Sequence, residues 1–480
     1  MTTLSPAPRD PRMPRLPTSD AFREFMASGW GELDRTARVT PGAAEAAADH
    51  RRLLSARFPR ETLVVASGRS AVRSNDTEFD FRPHSDFAWL TGCAAEAAVL
   101  VMRPVSASDG ASGHDAVLYL IEPAYAGDEA FYTDALRGEL WVGAAPGLDD
   151  WASALQIDVR SLATLPDDLL AIHTAVLSAG ASEPALSEAG IDEPSPLLEQ
   201  ALSDLKLVKD EWEIAQLRAA VDATVAGFSA VVAELPAALA GGGERWLQAT
   251  FDRHSRQGAN GVGYTTVMGS GPNAATLHWS RSDGPVSEDH LVLLDAGVEV
   301  DTLYTADVTR VFPASGTFSP AQRRVYELVL EARAAALSVL RPGGLFSDFQ
   351  EAAHDVIARG LHGWGILPGT LEEALSPEGQ YHRRYAICGN GHHLGLDVHD
   401  CAKTSEELYL RTPLVPGMVL TVEPGIYFHA NDLTLPEELR GIGVRIEDDL
   451  LITESGYENL SGALPVEVAD VEAWVRALTR

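Results

Sequence analysis

Residues 291–313, LVLLDAGVEVDTLYTADVTRVFP, carry two aspartates inside otherwise apolar, strand-like runs. Asp295 closes LVLL and Asp307 opens DVTRVF. An isolated ionised carboxylate among such neighbours costs several kcal/mol unless it is paired, hydrogen-bonded or metal-bound. The two acids lie 307 − 295 = 12 positions apart, with the midpoint at Asp301. An antiparallel hairpin turning about Asp301 sets them directly opposite, on one face, with Cβ atoms ~5 Å apart. Two carboxylates at that range repel unless a cation sits between them or one stays protonated.

The same pattern recurs downstream. Residues 418–428, MVLTVEPGIYF, and 444–453, VRIEDDLLIT, place Glu423 and Glu447 in apolar surroundings, on a second hairpin whose longer loop contains Pro436. Four converging carboxylates suit two divalent ions about 3.5–4 Å apart, as in two-metal hydrolases. Residues 387–400, ICGNGHHLGLDVHD, add His392, His393 and His399 behind a glycine-rich turn, where a histidine can approach a buried ion without backbone obstruction. Each acid alone reads more readily as a solvated strand residue, and each histidine, His278 of ATLHWS included, as a hydrogen-bonded structural one. Their concurrence is the signal. Rival chemistries lack their motifs: GNGHHLG is not G-x-G-x-x-G, and H-E-x-x-H, a P-loop and G-x-S-x-G are absent. Ser270 of MGSGPN has no placed base and reads as a turn.

Composition narrows the class further. The chain has 480 residues, 45% of them hydrophobic and 22% charged, a globular balance with room for two or three domains. Its net charge, 37 − 69 = −32, argues against nucleic acid or an anionic membrane as partner. Lys206, Lys209 and Lys403 are its only lysines, which leaves few candidates for Schiff-base chemistry. Cys93, Cys388 and Cys401 form no C-x-x-C pair, so neither a disulfide scaffold nor a cysteine-rich zinc site is expected, and the cytoplasm fits best. No apolar run reaches the ~20 residues of a membrane-spanning helix. Residues 1–17, rich in proline and arginine, read as a disordered tail.

Ser19 is a candidate cap for a helix over DAFREFMASGW, and residues 50–105 read as strand-rich. Helical periodicity runs from Leu197 to Leu235, and a domain boundary is placed near 200, separating an N-terminal domain, 18–200, from a catalytic one, 201–480. Ser319-Pro320 begins a helix that stops at Pro342, and Ser347 with Gln350 offers a capping box for the next. With its short strands, the second half is α+β, its sheet built from hairpins.

Taken in order, LHW, LLDAGVEV, ADVTRVF, GHHLGLDVHD, TVEPGIY and GVRIEDD resemble the aminopeptidase P branch of the pita-bread metallopeptidases. RSNDTEFDFRPHSDFAWLTGCAAEAAVLVM is similar to that branch's N-terminal domain, and LVKDEWEIAQLR to the start of its catalytic domain. The resemblance implies an N-terminal α/β domain of the creatinase and aminopeptidase P type. A pita-bread domain would follow, with a curved, mainly antiparallel sheet flanked by helices. It implies two divalent ions, most often Mn²⁺ with Co²⁺ or Zn²⁺ as alternatives, held by Asp295, Asp307, His392, Glu423 and Glu447. A hydroxide bridging them would attack an N-terminal Xaa-Pro bond with Glu423 as general base and acid. His278 and His399 would contact substrate, and Arg445 would orient the acids. Peptides with proline second would be the substrates, and the chain would form a homodimer or homotetramer. A dipeptide-specific prolidase is the nearest alternative and a non-catalytic binding module a remoter one. Cys388 stands where the family commonly has histidine, the Asp295–Asp307 interval is often one residue shorter, and the match GHxLGLDVH selects His392 over His393.

Overall fold

The computed structural model describes residues 18–75, 77–105 and 113–480, so the expected tail at 1–17 lies outside the described residues. The chain divides into two units, Met1–Leu205 and Lys206–Arg480.

In the first unit, α1 (Asp20–Ala27) begins as expected, with Ser19 Oγ accepting the Phe22 N–H at 3.2 Å. The stretch expected to be strand-rich is in part helical: α2 (Ala43–Arg57) and α3 (Ser85–Thr91) flank the strands. The alanine-rich run at 43–47 supplies the strongest helix former and buries Ala43, Ala44, Ala46 and Ala47, a preference outweighed in the sequence by the neighbouring apolar runs. Five strands form one mixed sheet: β1 (Thr62–Ala66), β2 (Val99–Pro104), β3 (His114–Leu120), β4 (Asp158–Ser161) and β5 (Val176–Gly180), in the order β4-β3-β2-β1-β5. The β1–β5 and β3–β4 pairs are parallel. Every residue of β1 is buried, as its unbroken apolar run requires of a central strand.

The long helical pattern near residue 200 breaks into α4 (Pro196–Lys206) and α5 (Glu211–Ala233). The break is set by Asp210, which caps α5 by accepting the Glu213 N–H at 2.8 Å, while Glu213 accepts the Asp210 N–H at 2.9 Å. In the second unit, α5, α6 (Gly243–Gly258), α7 (Pro320–Val339) and α8 (Phe346–Gly363) contribute Phe228, Phe251, Tyr326 and Phe349 to one apolar core. Leu293, Val311, Leu420 and Val444 meet them from the strands. Ser319 caps α7 as expected, accepting the Gln322 N–H at 3.3 Å, and Gln322 in turn accepts the Ser319 N–H at 2.9 Å. The capping box expected at Ser347 and Gln350 does not form. Helix α8 starts one residue before Ser347, and Asp348 accepts the Leu345 N–H at 2.9 Å. Gln350 is drawn away to the glycine-rich turn, where it accepts the Asn390 N–H and donates to the Gly391 carbonyl at 3.2 Å.

Strands β6 (Val267–Ser270), β7 (Leu291–Ala296) and β8 (Val308–Pro313) form an antiparallel sheet in the order β8-β7-β6. Its register corrects the sequence reading: Asp295 faces Thr309 rather than Asp307. The turn has three residues, with Val300 donating to Tyr304 at 3.0 Å, Leu303 donating to Val300 at 2.8 Å, and Leu303 left-handed at φ 71°. That turn centres the hairpin on Thr302 instead of Asp301. Asp307 therefore sits diagonally from Asp295 on the same face.

The second hairpin carries β9 (Val419–Val422), β10 (Gly425–Phe428), β11 (Ile442–Arg445) and β12 (Asp448–Thr453). Val422 pairs with Asp448 and Gly425 with Arg445, one continuous register in which Glu423 faces Glu447. The ladder is interrupted at Pro424, which has no N–H to donate.

Candidate metal centre

The two hairpins and the glycine-rich turn bring the sequence-selected acids and one histidine together. Period-2 alternation directs Asp307 with Thr309, Thr421 with Glu423, and Arg445 with Glu447 and Asp449 to common strand faces. The 390–394 segment runs beside β9: Thr421 donates to the His392 carbonyl at 2.8 Å, and His392 N–H donates to Thr421 Oγ1 at 3.0 Å. Glycine is required in that turn, because at Gly391, φ 154°, a Cβ would lie 2.1 Å from the Thr421 carbonyl oxygen. His392 Nε2 consequently lies 3.1 Å from Asp307 Oδ2 and 3.7 Å from Glu423 Oε1. Ligand atoms of Asp307, His392 and Glu447 all fall within 4.8 Å of one another.

Neighbouring groups fix the acids in place. Tyr264 donates its hydroxyl hydrogen to the Asp295–Asp307 pair, lying 2.6 Å from Asp295 Oδ1 and in close contact with Asp307 Oδ1. Arg445, 4% exposed, donates to Asp295 Oδ2, to Thr309 Oγ1 at 2.9 Å and to the Tyr427 hydroxyl at 2.8 Å. Thr309 in turn donates to Glu447 Oε2 at 2.6 Å. Behind Glu447, the buried Arg310 holds the backbone carbonyl of Glu447 at 2.6 Å and Asp448 Oδ1 at 2.7 Å, with Arg333 on the other Asp448 oxygen. Tyr264, Thr309, Tyr427 and Asp449 escaped the sequence reading. Thr309 and Asp449 stand two positions from selected acids, so strand alternation could have flagged them, whereas no local signal marks Tyr264.

Positive charge in direct contact with the acids comes from Arg445 and, when protonated, His392. Burial pushes the Glu447 carboxyl well above its ordinary range, and repulsion from Asp307, Glu423 and Asp295 adds to it. Asp295 and Asp449 are raised as well, by burial first, with repulsion from Asp307 contributing. The fully buried Asp449 Oδ1 has no hydrogen-bond partner. Glu423, with its side chain 20% exposed, is pushed up to about 7, mainly by burial and against the pull of His392 and Arg445. Burial alone would lower His392, but its contacts with Asp307 and Glu423 outweigh that and raise it to about 9. The imidazolium thus stands where a cation is called for, and the excess of buried carboxylates fits divalent metal. His392 Nδ1 lies 3.1 Å from the His393 carbonyl, an orientation that leaves Nε2 facing the acids.

His393 behaves differently. Its ring packs against Phe346 and Tyr409, at 5.1 and 4.7 Å, and burial takes its pKa down to about 3, so it belongs to the core. The His399 ring lies 4.5 Å from that of His392, edge to face. Its pKa is lowered by desolvation and then by the charge of His392, with His278 adding to the same effect. His278 is exposed on the segment after Gly271–Ala275. Cys388 is exposed beside the site, its thiol pushed up by desolvation and by the charge of Glu423.

A buried acid cluster joined by one imidazole and opened at Glu423 has the donor composition of divalent-metal sites in hydrolases. Residues 215–454 match the model of metallopeptidase family M24, and residues 47–176 that of the aminopeptidase P N-terminal domain. The chain is 47% identical over 456 residues to Xaa-Pro aminopeptidase 2 of Streptomyces coelicolor, covering 94% of this chain and 95% of the relative. It is 32% identical to the Xaa-Pro aminopeptidase of Escherichia coli, over 86% and 93% of the two chains. Among solved structures, zinc-substituted E. coli aminopeptidase P in complex with product superposes with a TM-score of 0.79 at 29% identity, over 91% of this chain and 99% of that one. The chain belongs to metallopeptidase family M24, in its aminopeptidase P branch, with the two-domain fold that joins the N-terminal α/β domain to a pita-bread domain. It is a metal-dependent aminopeptidase, a hydrolase of peptides. Among the described residues no single helix is long and apolar enough to cross a membrane.

Proposed function

We propose that the protein removes the N-terminal residue from peptides with proline second, using two divalent ions, Mn²⁺ by preference, at Asp295, Asp307, His392, Glu423 and Glu447. The observation that carries this reading is the facing of Glu423 and Glu447 across one hairpin, within reach of the Asp307–His392 contact. Oxygen-rich donors with one imidazole suit Mn²⁺ and admit Co²⁺ or Zn²⁺. Bound there, the ions would polarise the scissile carbonyl and bring the pKa of water towards neutrality.

The chain's own residues supply the remainder. Glu423, partly open to solvent, takes the proton from the attacking water at a carboxylate oxygen and later delivers it to the proline nitrogen. That delivery matters because the scissile nitrogen, a member of the proline ring, leaves as an amine only once it is protonated. His278 and His399 orient the peptide and stabilise negative charge on the carbonyl oxygen. Arg445 and Tyr264 hold Asp295 and Asp307 in position. The domain boundary near 200, residence in the cytoplasm and assembly into a dimer or tetramer belong to the same proposal.

After chelation and Mn²⁺ reconstitution, Ala-Pro-Ala and Ala-Pro should be compared as substrates, with free alanine as the readout. Release from the tripeptide supports the aminopeptidase reading, and release from the dipeptide alone assigns the protein to prolidase activity instead. A chain that binds no divalent ion overturns both in favour of a binding module.

A further inference from the structure

Glu244 lies in the first turn of α6, outside the acid cluster, and is fully buried. Both oxygens of its carboxylate are saturated by donors from the end of β6 and the irregular segment that follows it. Oε1 accepts the Ser270 N–H at 2.7 Å and Asn273 Nδ2 at 2.8 Å, while Oε2 accepts Trp279 Nε1 at 2.7 Å and the Gly284 N–H at 2.7 Å. The Glu244 N–H returns to the Gly284 carbonyl at 3.0 Å. The approach is so close that a Cβ at Gly284 would lie 2.3 Å from Asn273 Nδ2 and 2.9 Å from Glu244 Oε1. Between the second and third of these donors sits His278, itself exposed, beside a Trp279 ring covered by the Arg281 guanidinium at 4.2 Å.

We propose that Glu244 is a positioning residue for His278. Beyond the end of β6 at Ser270 and the short turn at Gly271–Ala275, the segment from Thr276 to Gly284 has no strand or helix of its own to hold it. One carboxylate therefore gathers the MGSGPN turn, the tryptophan next to His278 and the far end of the loop onto the rigid start of α6. Four donors converging on two oxygens admit only an acceptor-only group. Glutamine presents an NH2 to two of them, and aspartate falls a methylene short. The inference rests on the reading that His278 touches substrate, and its test separates the two.

Glu244→Gln, His278→Ala and the double variant should be prepared as full-length chains with metal content measured. Hydrogen exchange of residues 271–284 is read on each without substrate, and kcat and KM with an Xaa-Pro tripeptide. Glu244→Gln is expected to speed exchange in the loop, leave metal content unchanged, and lower kcat/KM by about 10–100-fold, the usual effect of losing an orienting partner. The double variant should be no worse than His278→Ala. If the two losses multiply, or exchange in the loop stays at the wild-type rate, Glu244 does not act through His278 and the proposal falls. If His278→Ala alone retains full activity, the substrate-contact reading of His278 fails, irrespective of what the exchange data say about Glu244. Should Glu244→Gln not fold, Trp279→Phe, which removes a single donor, enters the same cycle. A loss that persists undiminished in the His278→Ala background overturns the proposal.

Discussion

Removing divalent metal is expected to leave a protein whose acid cluster becomes less tolerable as pH rises, the reverse of ordinary acid unfolding. Glu423 sets the scale, because burial takes its carboxyl from an ordinary 4.5 to about 7 in the folded chain. The unfolded chain releases this proton near pH 4.5 and the folded chain keeps it to about pH 7. Stability fully present below 4.5 therefore declines through that window and is lost above it. At about 1.4 kcal/mol per pH unit, the gap gives about 3 kcal/mol in all, about 2 kcal/mol of it between pH 5.5 and 8. Asp295, Glu447 and Asp449 are raised in the same sense, and His392, raised to about 9, carries the trend to higher pH. His354 and His393, lowered by burial to about 4 and about 3, work oppositely, weakening the fold as pH falls below 6.5. Both lie in the chain whether or not metal is bound, so they cancel when the two forms are compared. The measurement is the Tm of reconstituted protein minus that of chelated protein at several pH values from 5.5 to 8.5. The difference should widen by roughly 4 °C for the Glu423 contribution alone. A difference that stays flat or narrows with pH would mean that the acids are not held together by cations, and the electrostatic reasoning would fail.

Four substitutions probe other links. Glu423→Gln should lower kcat by about 10²–10⁴-fold with an unchanged circular dichroism spectrum, and near-wild-type turnover would remove its acid–base role. Gly391→Ala drives a Cβ to 2.1 Å from the Thr421 carbonyl and should push His392 away from Asp307, so elemental analysis should find metal content reduced. Arg310→Met strips one of two guanidinium partners from the buried Asp448 and should cost about 3–5 kcal/mol in urea unfolding, with unchanged stability refuting the anchor. Cys388→His should leave metal content as it was, and a large gain in occupancy would show that the ligand set includes position 388.

The acid cluster was legible in the sequence because charge inside an apolar strand is costly, and the cost leaves a pattern that needs no tertiary knowledge. The second hairpin expected to carry Glu423 and Glu447 is present, and its strand pairing sets the two acids opposite each other. The Asp295–Asp307 register was misread, since moving the turn's centre by one position, from Asp301 to Thr302 with Leu303 left-handed, moves the partner of Asp295 by two, from Asp307 to Thr309. Leucine gives no warning of positive φ, as glycine or asparagine would have done. The helices at 43–57 and 85–91 were hidden because short apolar runs fit either period, and the alanines were weighed less than their neighbours.

Least legible were the groups that act on the acids from elsewhere in the chain. Tyr264 reaches Asp295 and Asp307 across 31 and 43 residues, and Arg310 reaches Asp448 across 138. In sequence these are an ordinary tyrosine after glycine and an arginine in a strand. Arginine inside VTRVF could have been read by the rule that singled out the aspartates, because a buried guanidinium is as costly as a buried carboxylate and demands a partner just as strictly. Applied to both signs of charge, that rule marks Arg310 as needing a buried acid, and the structure supplies Asp448. That contact ties the two hairpins together on the side of the sheet opposite the acid cluster, since Arg310 and Asp448 alternate with Thr309 and Glu447 along their strands.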